Sequence, residues 1–226
     1  MNDIITRLRE QQSDPLLTAL TVLLFVMLFI IAPLQASGIL LFQAFEFFFA
    51  IILIAGVFVM SGSRIAVVGM IVALIMATIG GVLRLKSPSI LDLNLFAGAW
   101  LITGFVMACV VAPAVFGPGR VTYHHIMGAI LLYLTVAVIF VALFTFVGST
   151  VPKAFSGLTV EDSPALASNL IYFSFATLTT TGYGDIFPVH PVARSLCNLE
   201  SIFGQLYPAT LLARLVTLEI AGRGSA

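Results

Sequence analysis

Apolar runs about as long as a bilayer is thick recur along most of this chain, separated by short breaks rich in Gly, Pro, Ser and charge. They restrict what it can fold into more than any other feature. The hydrocarbon core of a membrane takes roughly 20 apolar residues per helix, and a water-soluble domain has no use for so many such stretches. Composition agrees, with 60% hydrophobic and only 9% charged residues, against about 25% charged in an ordinary soluble domain. The breaks divide the chain into spans near 16–36, 38–60, 64–83, 90–116, 121–148 and 190–218, which predicts an all-α integral membrane fold with six crossings. The polar first fifteen residues lack the basic start, short apolar core and small-residue cleavage site of a signal peptide, so the first span is expected to be retained.

Ten basic and ten acidic residues cancel, which excludes the electrostatic footprint of a nucleic-acid or acidic-substrate binder. Position therefore carries more information than the sum. With six spans both termini share a side, and that side would hold Arg7, Arg9, Arg64, Arg120, Arg214 and Arg223, against Arg84, Lys86, Lys153 and Arg194 on the other. The excess predicts cytoplasmic termini. Cys109 and Cys197 lie inside apolar runs and read as small buried thiols, not as a disulfide.

One connection, 149–189, is long, and it contains the one apolar segment too short to cross. From Pro164 to Leu178 a helix would measure roughly 22 Å at 1.5 Å per residue. Ser163 before Pro164 reads as a helix cap followed by proline in the first turn. Such a helix enters the membrane without leaving it, and its C-terminal end carries partial negative charge that favours a cation. TTTGYGD follows, Thr179 to Asp185. Non-helical backbone at that depth is tolerated only where it is buried in protein or lines a watery path. Gly182 and Gly184, either side of Tyr183, reach backbone angles that other residues resist, so that several carbonyls can face one direction at close spacing.

Residues 163–218 resemble the pore domain of the potassium channel family, whose filter is usually TVGYG followed by Asp. Thr180, Gly182, Tyr183, Gly184 and Asp185 match, and Tyr172 and Phe173 sit where the family places an aromatic cuff. Thr181 stands where Val or Ile is usual; its side chain would point away from the ion, leaving its carbonyl unaffected. The resemblance implies a homotetramer in which K+ is held by main-chain oxygens of Thr180, Thr181, Gly182 and Tyr183, with the Thr180 hydroxyl adding a further ring and Thr179, Asp185 and Glu200 in support. Family channels place a glycine about twenty residues after the last filter glycine, where the inner helix bends. Gly204 occupies that position, and Pro208, one turn further, removes a helix hydrogen bond. The pair reads as a gating hinge or, alternatively, as two small-residue packing points. Ser201, Gln205, Pro208 and Leu212 share one helical stripe, which by the resemblance lines the central cavity. Glu200 points away from it, behind the filter. A carboxylate at that depth costs about 2.5 to 3.5 kcal/mol, so the expectation is a proton or a hydrogen bond to the pore helix, in a structural or a filter-gating role.

The layout then reads as a cytoplasmic N-terminus over 1–15, a four-helix transmembrane domain over 16–120, a pore domain over 121–218 and a short cytoplasmic tail over 219–226. Within the pore domain come an outer helix, a pore helix at 164–178, the filter at 179–185 and an inner helix at 190–218. Six spans with the pore last are similar to voltage-gated channels, but the fourth span, SILDLNLFAGAWLITGFVMACVVAPAVF, contains no Lys or Arg. The membrane potential supplies about 2.3 kcal/mol per unit charge per 100 mV, so little voltage dependence is expected without mobile charge. The tail is too short for an appended ligand-binding domain, and a separate regulatory subunit would have to supply one.

Glu46 in the second span is expected to pair with Arg84 or Lys86, or else to sense protons or a ligand. His124 and His125 read as interfacial anchors or a pH sensor. Asp92 and Asn94 are expected to cap or solvate the start of the fourth span, and Phe45 and Phe47–Phe49 to pack or face lipid. No nucleophile with its base, metal cluster or phosphate loop is recognisable, so neither an enzyme nor a cofactor is expected, with K+ only as the permeant ion. The competing readings are a poorly selective cation channel, a potassium transporter, which would usually carry four filter segments where one is found, and a non-conducting structural or sensory subunit.

Overall fold

The computed structural model describes residues 15–38, 63–86, 89–117, 123–161, 163 and 165–223. The expected second span at 38–60, with Glu46 and the phenylalanines around it, falls almost wholly outside the described residues, as does Pro164. What is described is mostly helix. α1 runs over Pro15–Ala36, α2 over Arg64–Lys86, α3 over Ile90–Phe116 and α4 over Tyr123–Thr150. After a two-residue strand β1, Phe155–Ser156, comes the short helix α5, Leu166–Leu178. Strand β2, Phe187–Pro188, and the long helix α6, Pro191–Arg223, complete the order.

Leu17, Leu20, Leu24, Met27, Leu28 and Ile31 recur every three or four residues along α1 and are all buried, the pattern of a helix with one face on a core. That face meets Met107, Val111 and Val115 of α3 and Ala129, Leu131, Leu132 and Val138 of α4. A π-helical turn, Met27–Ile31, precedes Pro33. Proline lacks an N–H and crowds the carbonyl four residues back, and the widened turn accommodates it.

Ser89 is the N-cap of α3, and a capping box is closed with it by Asp92 in the first turn. Asp92 Oδ1 accepts the Ser89 backbone N–H at 2.6 Å and the Ser89 hydroxyl at 2.7 Å. Asn94, one half-turn on, accepts from Ser149 of α4 at 2.7 Å and so ties the ends of the two helices together. Cys109 is exposed and Cys197 buried, and both are free thiols.

Among the described residues, four helices are long and apolar enough to cross a membrane: Pro15–Ala36, Arg64–Arg84, Ile90–Pro113 and His125–Thr150. The chain is therefore a helical membrane protein by length and composition. α6 has the length, 33 residues, or about 50 Å at 1.5 Å per residue. It falls short in apolarity because Arg194, Asn198, Glu200, Ser201, Gln205 and Arg214 interrupt it. α5, with 13 residues, is too short to cross. It begins two residues later than the sequence suggests. Its N-cap is Ala165, with no side-chain cap, and Ser163 contributes its backbone carbonyl, which accepts the Leu166 N–H at 3.1 Å.

The lower part of α6 is fastened to α3 and α4. Tyr207 donates its hydroxyl to the Ala129 carbonyl at 2.7 Å and stacks on Tyr133 at 5.8 Å between ring centroids. Arg214 donates to the carbonyls of Val115 and Gly117, at the C-terminal end of α3, and lies 5.5 Å from the centre of the Phe116 ring. A guanidinium satisfying otherwise orphaned helix carbonyls is favoured by hydrogen bonding and by the helix dipole. Hydrogen bonds to charged groups contribute about 1.5–3 kcal/mol each, so Arg214→Leu is expected to speed amide exchange over residues 208–217 by about tenfold or more. Unchanged exchange there, measured by mass spectrometry in detergent micelles, would show that the contact does not hold the helix.

Candidate functional site

The segment expected to form the filter, Thr179 to Asp185, hangs from the C-terminal end of α5 through its N–H groups. Thr180 N–H donates to the Thr177 carbonyl at 2.9 Å, while Thr181 and Gly182 N–H both donate to the Ala176 carbonyl, at 2.9 and 3.1 Å. The last carbonyls of a helix have no partner within it, and these three donors meet two of them. Backbone φ is +56° at Thr180, +56° at Gly182 and +83° at Gly184, but is not positive at Thr181 or Tyr183. Left- and right-handed residues thus alternate. That alternation turns successive N–H groups toward one side of a strand and the carbonyls toward the other. Among the described residues, none donates a hydrogen bond to the carbonyls of Thr180, Thr181, Gly182, Tyr183 or Gly184. Five consecutive acceptors are left for something other than this chain's own donors.

The side chains of the segment are held from behind. Thr179 donates its hydroxyl to the Phe175 carbonyl at 2.6 Å, and the Thr179 and Thr181 hydroxyls lie 2.8 Å apart. Thr181 is therefore drawn toward α5. Tyr183 stacks on Tyr172 with ring centroids 5.7 Å apart and planes 14° from parallel. Phe173 goes elsewhere: its ring lies 5.0 Å from Phe144 and 5.4 Å from Phe155, inside a buried aromatic cluster. Of the two aromatics expected around the filter, only Tyr172 touches the filter tyrosine. Successive residues of a helix point about 100° apart, so the two rings leave α5 in different directions.

α6 closes the site from below. Ser201 Oγ lies 3.3 Å from the Thr177 carbonyl, and Gln205 Nε2 donates to Thr180 Oγ1 at 2.9 Å. Gln205, Pro208 and Leu212 are exposed in the single chain, and Ser201 is half-buried. Glu200, on another face, is fully buried. Ser174 Oγ of α5 lies 2.5 Å from Glu200 Oε1 and 3.1 Å from the Ala137 carbonyl of α4, so three helices meet at this hydroxyl. Gly204 is buried where α6 crosses the end of α5: a Cβ there would stand 1.7 Å from the Leu178 carbonyl oxygen.

Beyond Gly184, β1 and β2 pair antiparallel with Phe155 opposite Pro188 and Ser156 opposite Phe187. Ala154 accepts the N–H groups of Val189 and His190 at 2.9 and 3.2 Å. Gly157, with φ +78°, follows β1 and packs on the Asp185 carbonyl so closely that a Cβ would stand 1.9 Å from its oxygen. This brace and the left-handed Thr180 have no counterpart in the sequence reading. A lone glycine in a polar loop resembles any turn, and threonine is a residue type that resists positive φ.

No curated protein and no solved structure matches the chain. A family model does match, over less than half of its length. The matched stretch, residues 128–220, contains most of α4, the whole of α5 and the filter, and nearly all of α6. Over these residues the chain is similar to the family described as ion channel, and the match supports a passive ion channel of the potassium-channel kind.

Proposed function

We propose that this chain is one subunit of a homotetrameric, potassium-selective channel of the cell membrane, with six spans, a re-entrant pore segment and both termini in the cytoplasm. K+ passes down its gradient through rings of carbonyls contributed by Thr180, Thr181, Gly182 and Tyr183 of each copy. The observation that carries the reading is the alternation of φ sign from Thr180 to Gly184, joined to five carbonyls that none of the chain's described groups uses. A dehydrated monovalent cation needs such oxygens to replace its water. Thr181, tied to Thr179, keeps its carbonyl for the same purpose as the usual Val, so its presence does not by itself favour a poorly selective channel. Glu200, Ser174 and Gly204 lie around the inner end of the pore helix, and Gly157 and Asp185 at the outer end of the filter; these support the filter without lining it.

Purified protein in planar bilayers tests this. With K+ on one side and Na+ on the other, the reversal potential is expected to shift strongly in the direction of K+ selectivity, and micromolar to millimolar internal Ba2+ to block. In symmetrical K+ the steady-state conductance is expected to change little with voltage, because the fourth span carries no Lys or Arg. A reversal potential near zero would identify a non-selective cation channel instead, and absence of current from assembled protein a non-conducting subunit.

A further inference from the structure

Thr180 is one of only two non-glycine residues among those described with positive φ. A β-branched residue resists this conformation strongly, and it persists only where the surroundings over-determine it. Two contacts do so here. The backbone N–H is held by the Thr177 carbonyl at 2.9 Å, and the side-chain oxygen Oγ1 accepts from Gln205 Nε2 at 2.9 Å. The neighbouring hydroxyls of Thr179 and Thr181 are turned toward each other and toward α5, so Thr180 alone of the three is held by α6.

Gln205 is well placed for this. It follows Gly204, whose backbone rests directly on the Leu178 carbonyl, so the height of its amide relative to the filter is fixed by a rigid main-chain contact. A hydroxyl oxygen has two lone pairs and one hydrogen. When the Gln205 amide takes one lone pair, rotation of the hydroxyl is restricted and the remaining lone pair has a defined direction.

We infer that Gln205 is a positioning residue for the innermost cation site: its amide orients the Thr180 hydroxyl oxygen that serves as the lowest ligand, so the inner helix takes part in setting the ion's coordination. This rests on the potassium-channel reading above. It assigns Gln205 a function that a wall of the cavity would not have, since the effect runs through one named oxygen.

Barium alone serves as the probe, because a divalent cation close to K+ in size reports on tightly coordinated oxygens. In bilayers, Gln205→Leu is expected to weaken internal Ba2+ block about tenfold, as is Thr180→Ala. The double variant is expected to be no weaker than either single variant by more than about twofold, because coupled groups give non-additive effects. Gln205→Met, which nearly keeps the length and the neutral charge but has no amide donor, should not restore the ordered site, and its Ba2+ block should stay weaker than wild type. Additive losses in the double variant, or a block as tight as wild type in Gln205→Leu or Gln205→Met, would each overturn the role. Should Thr180→Ala fail to conduct, the same cycle is read from the rise in melting temperature that Ba2+ gives the detergent-purified protein. Wild-type protein that shows no preference for K+ over Na+ would overturn the channel reading itself, and this role with it.

Discussion

Gly204→Ala is expected to abolish potassium flux and to weaken the assembled protein. The added Cβ would stand 1.7 Å from the Leu178 carbonyl oxygen, 2.7 Å from its carbon and 3.2 Å from its Cα. All three are backbone atoms of the last residue of α5, so no change of rotamer relieves the collision. Inserting a methyl into a well-packed site typically costs about 1–3 kcal/mol through shifted backbone. Here the shift falls on the turn that delivers Thr179 and Thr180. A glycine that only supplied a bend would behave differently, since its alanine variant would alter open probability and leave selectivity intact. Flux in liposomes, reversal potential and the melting temperature of the purified protein separate the two: loss of flux together with lowered stability marks the packing contact, whereas intact selectivity with altered gating marks the hinge.

Gly157→Ala is the counterpart at the outer end. Its Cβ would stand 1.9 Å from the Asp185 carbonyl oxygen and 3.3 Å from the Ile186 Cα, at a backbone φ of +78° that a side chain also disfavours. The expected result is separation of the short β1–β2 pair and displacement of Asp185, seen as a fall in K+ flux of about tenfold or more, equivalent to roughly 1.4 kcal/mol. Gly38 provides the control, with φ +88° but nothing within 4 Å of the added atom. Gly38→Ala introduces left-handed strain of about 1–2 kcal/mol without a collision, and flux is expected to stay within a factor of two of wild type. Equal damage from the two variants would show that backbone strain, not contact with the filter, is responsible.

Both collisions arise between residues far apart in sequence, which explains which parts of the molecule could be read in advance. The apolar runs were legible because a bilayer imposes one length on every crossing helix, and four of them are helices of that length. The short helix before TTTGYGD was legible for the converse reason. Its first turn was not, because a Ser-Pro pair marks a cap by local chemistry, while the helix takes the Ser163 backbone carbonyl and begins at Leu166. α6 was expected as a span from the polar breaks on either side of it; its polar residues, Glu200 and Gln205 among them, make contacts with Ser174 and Thr180 that a count of apolar residues cannot register.

Periodicity likewise placed Ser201, Gln205, Pro208 and Leu212 on one stripe, but nothing in it says that Gln205 reaches Thr180. Within one chain the adjacent aromatics Tyr172 and Phe173 take different partners, which position in sequence does not tell. One ring stacks on Tyr183, and the next is buried against Phe144 and Phe155. Arg214 illustrates the same limit for charge. Counted by side it was one cation in a topology argument, and in the fold it closes the end of α3.

A density map of the purified protein in K+, compared with one in Na+, tests the central claim most directly. Four copies around one axis are expected, with a column of ion density in K+ level with the carbonyls of Thr180 to Tyr183, and with that column lost or rearranged in Na+. A monomer, or a fourfold assembly whose axis is empty beside Tyr183 in K+, would contradict it.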